Sequence, residues 1–123
     1  MRRFNPHSEH PARAVQAWQI LVGTAMNRQT LTYSGLAQAM YGRRAQGVLD
    51  RILGHVAFYC VDNKLPALTS IVVGKGRGTP GCDIPIDLKT VDKEREKVYG
   101  FNWYDVYPPT AEELHEAFDG RMT

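Results

Sequence analysis

The chain has little cysteine, no long apolar run and, over its first two thirds, few acids. Two cysteines in 123 residues, Cys60 and Cys82, cannot form a disulfide framework, so the core must come from apolar packing. Both thiols are therefore expected reduced. No apolar stretch approaches the roughly 18 residues that cross a bilayer, and "MRRFNPHSEHP" lacks the apolar region of a secretion signal. The expectation is a cytoplasmic protein with no membrane partner.

Catalytic signatures are also missing. A phosphate-binding P-loop needs G-x-x-x-x-G-K-[ST], but "GRGTPGCD" from Gly76 puts Cys82 and Asp83 where the lysine and hydroxyl belong. No serine sits in a G-x-S-x-G elbow, and neither cysteine has a local nucleophile signature. His7 and His10 form an H-x-x-H without a third ligand, so neither a metal nor another cofactor is expected. His55 and Tyr59 lie one helical turn apart with Asp62 nearby, which is the pattern of an acid/base pair or of a half-buried polar edge. His115 falls in an acidic helix and is expected to face solvent. The chain reads as a binding protein before it reads as an enzyme.

What is present is an ordinary globular composition, 43% hydrophobic and 23% charged, with a lopsided charge distribution. Residues 1–81 carry ten Lys or Arg against three acids, and residues 82–123 carry five against ten. That split fits a surface facing a polyanion, and it also fits two solvated faces that differ.

The pattern predicts a mobile basic arm over residues 1–10, with Arg2 and Arg3 free to reach an anion, and one domain over residues 11–123. Pro11 opens a helix in which Val15, Trp18, Leu21, Val22, Ala25 and Met26 recur at helical spacing. "TYSGLAQAMYG" predicts a shorter helix capped by Thr32 and ended by Gly42. A long helix follows, with Val48, Leu49, Ile52, Leu53, Val56 and Cys60 on one face. Gly47 and Gly54 offer room for close backbone approach. This is the order of a helix-turn-helix.

Leu68 to Val73 reads as the strongest strand, and "CDIPIDL" as its hairpin partner at an edge because of Pro85. Between them "GKGRGTPG" would be the tip of a wing, glycine-rich to turn and basic at Lys75 and Arg77. "KTVDKEREKVYG" is a loop or a short exposed helix. Phe101, Trp103, Tyr104 and Tyr107 form an aromatic segment, either a second strand or a cover on the core. Thr110 and Glu113 then make a capping box for a last helix with Leu114 and Phe118 on its apolar side. The fold class expected is α+β: a winged helix-turn-helix-like core, a β-hairpin wing, and a C-terminal aromatic segment plus helix.

From about Thr30 to Gly81 the chain resembles the DNA-binding domain of the methylated-DNA alkyltransferases and their alkyltransferase-like relatives. The short helix begins Thr-Tyr and continues into Leu-Ala, as in "TYSGLAQAM". An arginine and a groove-entering helix follow, matched by "RRAQGVLDRILGHV", and then an Asn-x-x-Pro-like bend, a strand and a glycine turn, matched by "NKLPALTSIVVGKGRG". The resemblance implies a winged helix that binds DNA. It does not carry the alkyl-transfer chemistry, because Leu68, Thr69, Ser70 and Ile71 stand in the places of Pro-Cys-His-Arg.

The expected function is non-enzymatic DNA binding, to duplex rather than single strand. Arg43, Arg44 and Gln46 would lie at the recognition helix, Lys75 and Arg77 on the wing, and Arg2 and Arg3 in the arm. The alternative is a small regulatory or inhibitory module that presents Trp103, Tyr104, Tyr107 and the acidic last helix to a protein partner.

Overall fold

The computed structural model describes residues 1–5, 8–42, 46–74 and 91–122, with only the backbone of 46, 47, 121 and 122. Among the described residues the chain is mostly helical with one small parallel sheet, an α+β arrangement.

Helix α1, His10–Met26, starts one residue before Pro11, which occupies a first-turn position where no N–H is needed. Its stripe buries Ala14, Ala17, Trp18, Leu21, Val22 and Ala25. Strand β1, Leu31–Thr32, leads directly into α2, Tyr33–Tyr41. There Thr32 Oγ1 accepts from the Gly35 N–H at 2.9 Å, and Gly42 closes the helix in the left-handed region at φ 69°. Helix α3, Gln46–Asp62, buries Leu49, Ile52, Leu53, Val56 and Cys60, whereas Val48, expected on that face, is exposed.

Helices α1 and α3 end alike, without glycine. In each an asparagine side chain donates to the carbonyl four residues back, Asn27 to Gly23 O at 3.0 Å and Asn63 to Tyr59 O at 2.9 Å. The next residue, Arg28 or Lys64, then takes a left-handed φ of 55° or 56°. The asparagine side chain adds a second donor to a carbonyl that its own backbone N–H already engages, and the cation lies at the negative end of the helix dipole, which together offset the cost of that backbone conformation.

The expected strand over Leu68 to Val73 is corrected. Leu68–Ile71 is a 3-10 turn, and only Val72–Val73 forms a strand, β2. The reason is where the backbone hydrogen bonds go. All four side chains are buried, and the segment closes its bonds locally, Ser70 N–H donating to Ala67 O at 2.9 Å and Val72 N–H to Thr69 O, rather than across a sheet. Strand β2 pairs in parallel with β1, Leu31 opposite Val72 and Thr32 opposite Val73. The proposed hairpin partner and the wing tip lie outside the described residues.

The charged stretch forms helix α4, Val91–Gly100, with Val91 and Val98 buried seven residues apart on one face. Its Arg95 Nε donates to Ser70 O at 2.7 Å, which ties α4 to the 3-10 turn. The aromatic segment is not a strand. Residues Trp103–Asp105 make a second 3-10 turn laid over the core, and Trp103 Nε1 donates to Val98 O at 2.8 Å. Trp103 meets Trp18 edge-on at 5.7 Å and tilts against Phe101 at 4.7 Å. Helix α5, Ala111–Met122, begins with the expected capping box: Glu113 N–H donates to Thr110 Oγ1, and Thr110 N–H donates to Glu113 Oε1, both at 3.1 Å. Helices α1, α3 and α5 pack on one another around a core running from Ala14 to Leu114.

Candidate nucleic-acid interface

The sequence-predicted cations fall into two groups. Arg43, Arg44, Lys75 and Arg77 lie outside the described residues, and Gln46 is described only as the first residue of α3. Arg2 and Arg3 are exposed and line an open cleft of about 520 Å³ between the N-terminal arm and the end of α2. Phe4, Asn5, Arg13, Gln16, Met40 and Tyr41 complete its walls.

The residue that builds this cleft is Arg13, which the pattern of surface cations does not single out. It is only 4% exposed, in the first turns of α1. One terminal nitrogen donates to Gln16 Oε1 at 2.7 Å and to Met40 O at 3.0 Å, and the other donates to Asn5 O at 2.7 Å. The guanidinium also lies over the Tyr41 ring at 4.2 Å and near the Phe4 ring at 5.4 Å. Arg13 thus joins three segments: its own helix, the last turn of α2 and the arm. Met40 O is one of the four carbonyls that a helix end leaves without an internal partner, so the contact is a cap supplied from another helix. The sequence did hold a signal. Arg13, Ala17 and Leu21 fall four apart, so a cation sits in line with the buried stripe of α1.

A second cleft, about 540 Å³, lies beside the first turn of α1. Glu9, His10, Arg51, His55, His115 and Asp119, with Ser8, supply its polar lining. His55, expected on a half-buried edge, is only 3% exposed and stacks face to face on Phe118 at 4.2 Å. Its Nδ1 lies 2.7 Å from Arg51 O. A carbonyl only accepts, so Nδ1 carries the hydrogen and Nε2 is the lone-pair nitrogen of the neutral ring. Burial, with the nearby charges of His10, His115 and Arg51, holds the His55 pKa below its ordinary value.

The His55, Tyr59 and Asp62 grouping does not form one pocket. His55 lines the 540 Å³ cleft, while Tyr59 and Asp62 line a separate 240 Å³ hollow with Glu113 and Glu116. Among the described residues no three His, Cys, Asp or Glu side chains converge to hold a metal. Cys60 is a free thiol buried in the core, and that burial pushes its pKa up to about 12, so it is no nucleophile at neutral pH. Also among the described residues, no helix is long and apolar enough to cross a membrane.

The aromatic segment divides. Trp103 is 1% exposed and belongs to the core, whereas Tyr104 and Tyr107 are 70% and 91% exposed.

Comparisons with protein-family models, with curated proteins and with solved structures find no match to this chain.

Proposed function

We propose that the chain is a non-enzymatic nucleic-acid-binding domain of the winged-helix class. It meets duplex DNA at the junction of α2 and α3, with Arg43, Arg44 and Gln46 at that junction, Arg2 and Arg3 beside it, and Lys75 and Arg77 on a wing. One observation carries the reading: Arg13 fastens the basic arm to the last turn of α2 through Met40 O and Asn5 O. Arg2 and Arg3 therefore line a cleft with Met40 and Tyr41, which precede Arg43 and Arg44 by only a few residues of chain. Arg2, Arg3 and Arg13 line the cleft at the last turn of α2, where phosphate contacts would supply affinity.

The alternative partner, a protein, would rest on Tyr104 and Tyr107, since Trp103 is taken up by the core. The test is fluorescence anisotropy with a labelled duplex across a salt series. Binding should weaken with salt, and Arg43→Ala with Arg44→Ala should lower the slope by roughly 0.9 for each phosphate that the variant no longer neutralises. Affinity and slope that stay unchanged in the double variant would place the interface elsewhere.

A further inference from the structure

The cleft around Arg13 carries an imbalance of charge. Three guanidinium groups line it, and among the described residues none of its lining side chains is Asp or Glu. Arg2 and Arg3 are solvated and tolerate this. Arg13 is different, because it is buried and makes no ion pair with a described residue. Its acceptors, the carbonyls of Met40 and Asn5 and the Gln16 amide, are all neutral groups. A buried charge is usually paired with its opposite, and neutral acceptors with the end of a helix dipole supply only part of that compensation.

The hydrogen bonding is incomplete as well. Three of the five guanidinium N–H groups are engaged, and Nε is buried without a partner. Two aromatic rings, Phe4 and Tyr41, lie against the guanidinium, which with its three hydrogen bonds is held in place before any ligand arrives.

We infer that the cleft between the N-terminal arm and the end of α2 binds a phosphate monoester, with Arg2, Arg3 and Arg13 as its counter-charges. A monoester dianion suits a concave site with several cations: the exposed forks of Arg2 and Arg3 can match phosphate oxygens two at a time, while Arg13, most of whose N–H groups are engaged or buried, adds its charge. The volume of about 520 Å³ admits a nucleotide-sized molecule, and Phe4 and Tyr41 give a base or other flat group a surface to rest on. The inference deepens the nucleic-acid reading and rests on it only for the source of the phosphate, which is either the end of a strand or a free ester.

The experiment follows arginine side-chain N–H and backbone amide resonances of the 15N-labelled protein while AMP, inorganic phosphate or adenosine is added. AMP and phosphate should shift signals of Arg2, Arg3, Arg13 and Tyr41, and adenosine should not. Arg2→Gln with Arg3→Gln, both at exposed positions, should weaken AMP by about tenfold or more while leaving the melting temperature unchanged. Arg13→Lys keeps the charge without the fork and should weaken AMP as well.

The absence of AMP and phosphate shifts would overturn the inference, as would shifts of equal strength in the Arg2/Arg3 variant. A 5′-phosphorylated DNA strand compared with its 5′-hydroxyl twin identifies the source. Preference for the phosphorylated strand assigns the site to strand ends. Equal binding of the two strands, with AMP binding retained, assigns it to a free ester. Loss of duplex binding with AMP binding intact sinks the DNA reading alone.

Discussion

The two larger clefts flank the start of α1 and differ in what sets their charge. The arm cleft holds three guanidinium groups, Arg2, Arg3 and Arg13, with no carboxylate among its described lining residues. The other holds three histidines and Arg51, but Glu9 and Asp119 share it. The first is built for permanent attraction to an anion. The second carries internal compensation, and its net charge follows pH. Cleft size does not separate them, since they enclose about 520 and 540 Å³. The distinction lies in whether the positive charge can be switched off, and for a phosphate ligand at neutral pH that favours the arginines.

The largest expected effect comes from breaking the arginine side. Arg13→Ala removes three hydrogen bonds and leaves Met40 O without its cap, so stability should fall by roughly 2–3 kcal/mol. Chemical denaturation measures the loss, and hydrogen exchange at Ser8 N–H, bonded to Asn5 O, reports whether the arm opens first. Arg13→Lys should recover part of the stability, since it keeps the charge but not the fork. A loss under about 0.5 kcal/mol for the alanine variant would mean that Arg13 does not hold arm and helix together.

Helices α1, α2, α3 and α5 could be read from sequence, because stripes and caps are local, whereas the charged stretch that forms α4 read equally as a loop. Thr32, Gly42 and the pair Thr110 and Glu113 each act within a few residues of where they stand. What sequence misassigned depends on distant partners. Leu68 to Val73 looks like a strand by composition, yet its first four residues close their backbone bonds locally, and Ser70 O is taken by Arg95 from the distant α4. The β1 and β2 pairing covers two residues per strand, too short to leave an alternating pattern. The ends of α1 and α3 were obscured because Asn27 and Asn63 replace the usual glycine signal. In the candidate site, Arg2 and Arg3 stood out as cations, while Arg13 was hidden within an apolar helix.

The histidine side predicts an intermediate effect that depends on pH. The folded pKa of His55 lies below its ordinary value of 6.5, so as pH falls the unfolded chain takes up the proton first. This group's contribution is therefore fully present above about 6.5 and is lost as pH falls below it, levelling off under the folded pKa. His10, His115 and Arg51 act on it in the same direction, as neighbouring positive charges. His55→Leu removes the titration and should cost about 1 kcal/mol at pH 7.5 through the lost bond to Arg51 O. The difference between variant and parent should then narrow as pH is lowered. Parallel stability curves for the two proteins across pH 5–7.5 would show that His55 does not set the pH response.

The smallest effect tests how tightly the histidine cleft is walled. Gly54 lies on α3, where an added Cβ would meet Phe118 Cε2 at 3.0 Å and Cδ2 at 3.3 Å, so the close approach is from a ring rather than a backbone. Gly54→Ala gains helix propensity of about 1 kcal/mol, and against this stands the shift forced on a ring that also stacks on His55. The two terms nearly cancel, so stability at pH 7.5 should change by less than about 1 kcal/mol. The stack is more sensitive than the total. Displacing Phe118 lets water reach the imidazole, which weakens the desolvation that lowers the His55 pKa and should bring it back toward 6.5. Titration of the His55 ring by NMR measures that return directly. Neither Phe118 nor His55 lines the arginine cleft, so the same substitution should leave AMP binding unaltered. An upward move of the His55 pKa with constant AMP affinity would establish the two clefts as independent. A change in AMP affinity would instead mean that the first turn of α1, which borders both, transmits strain from one to the other.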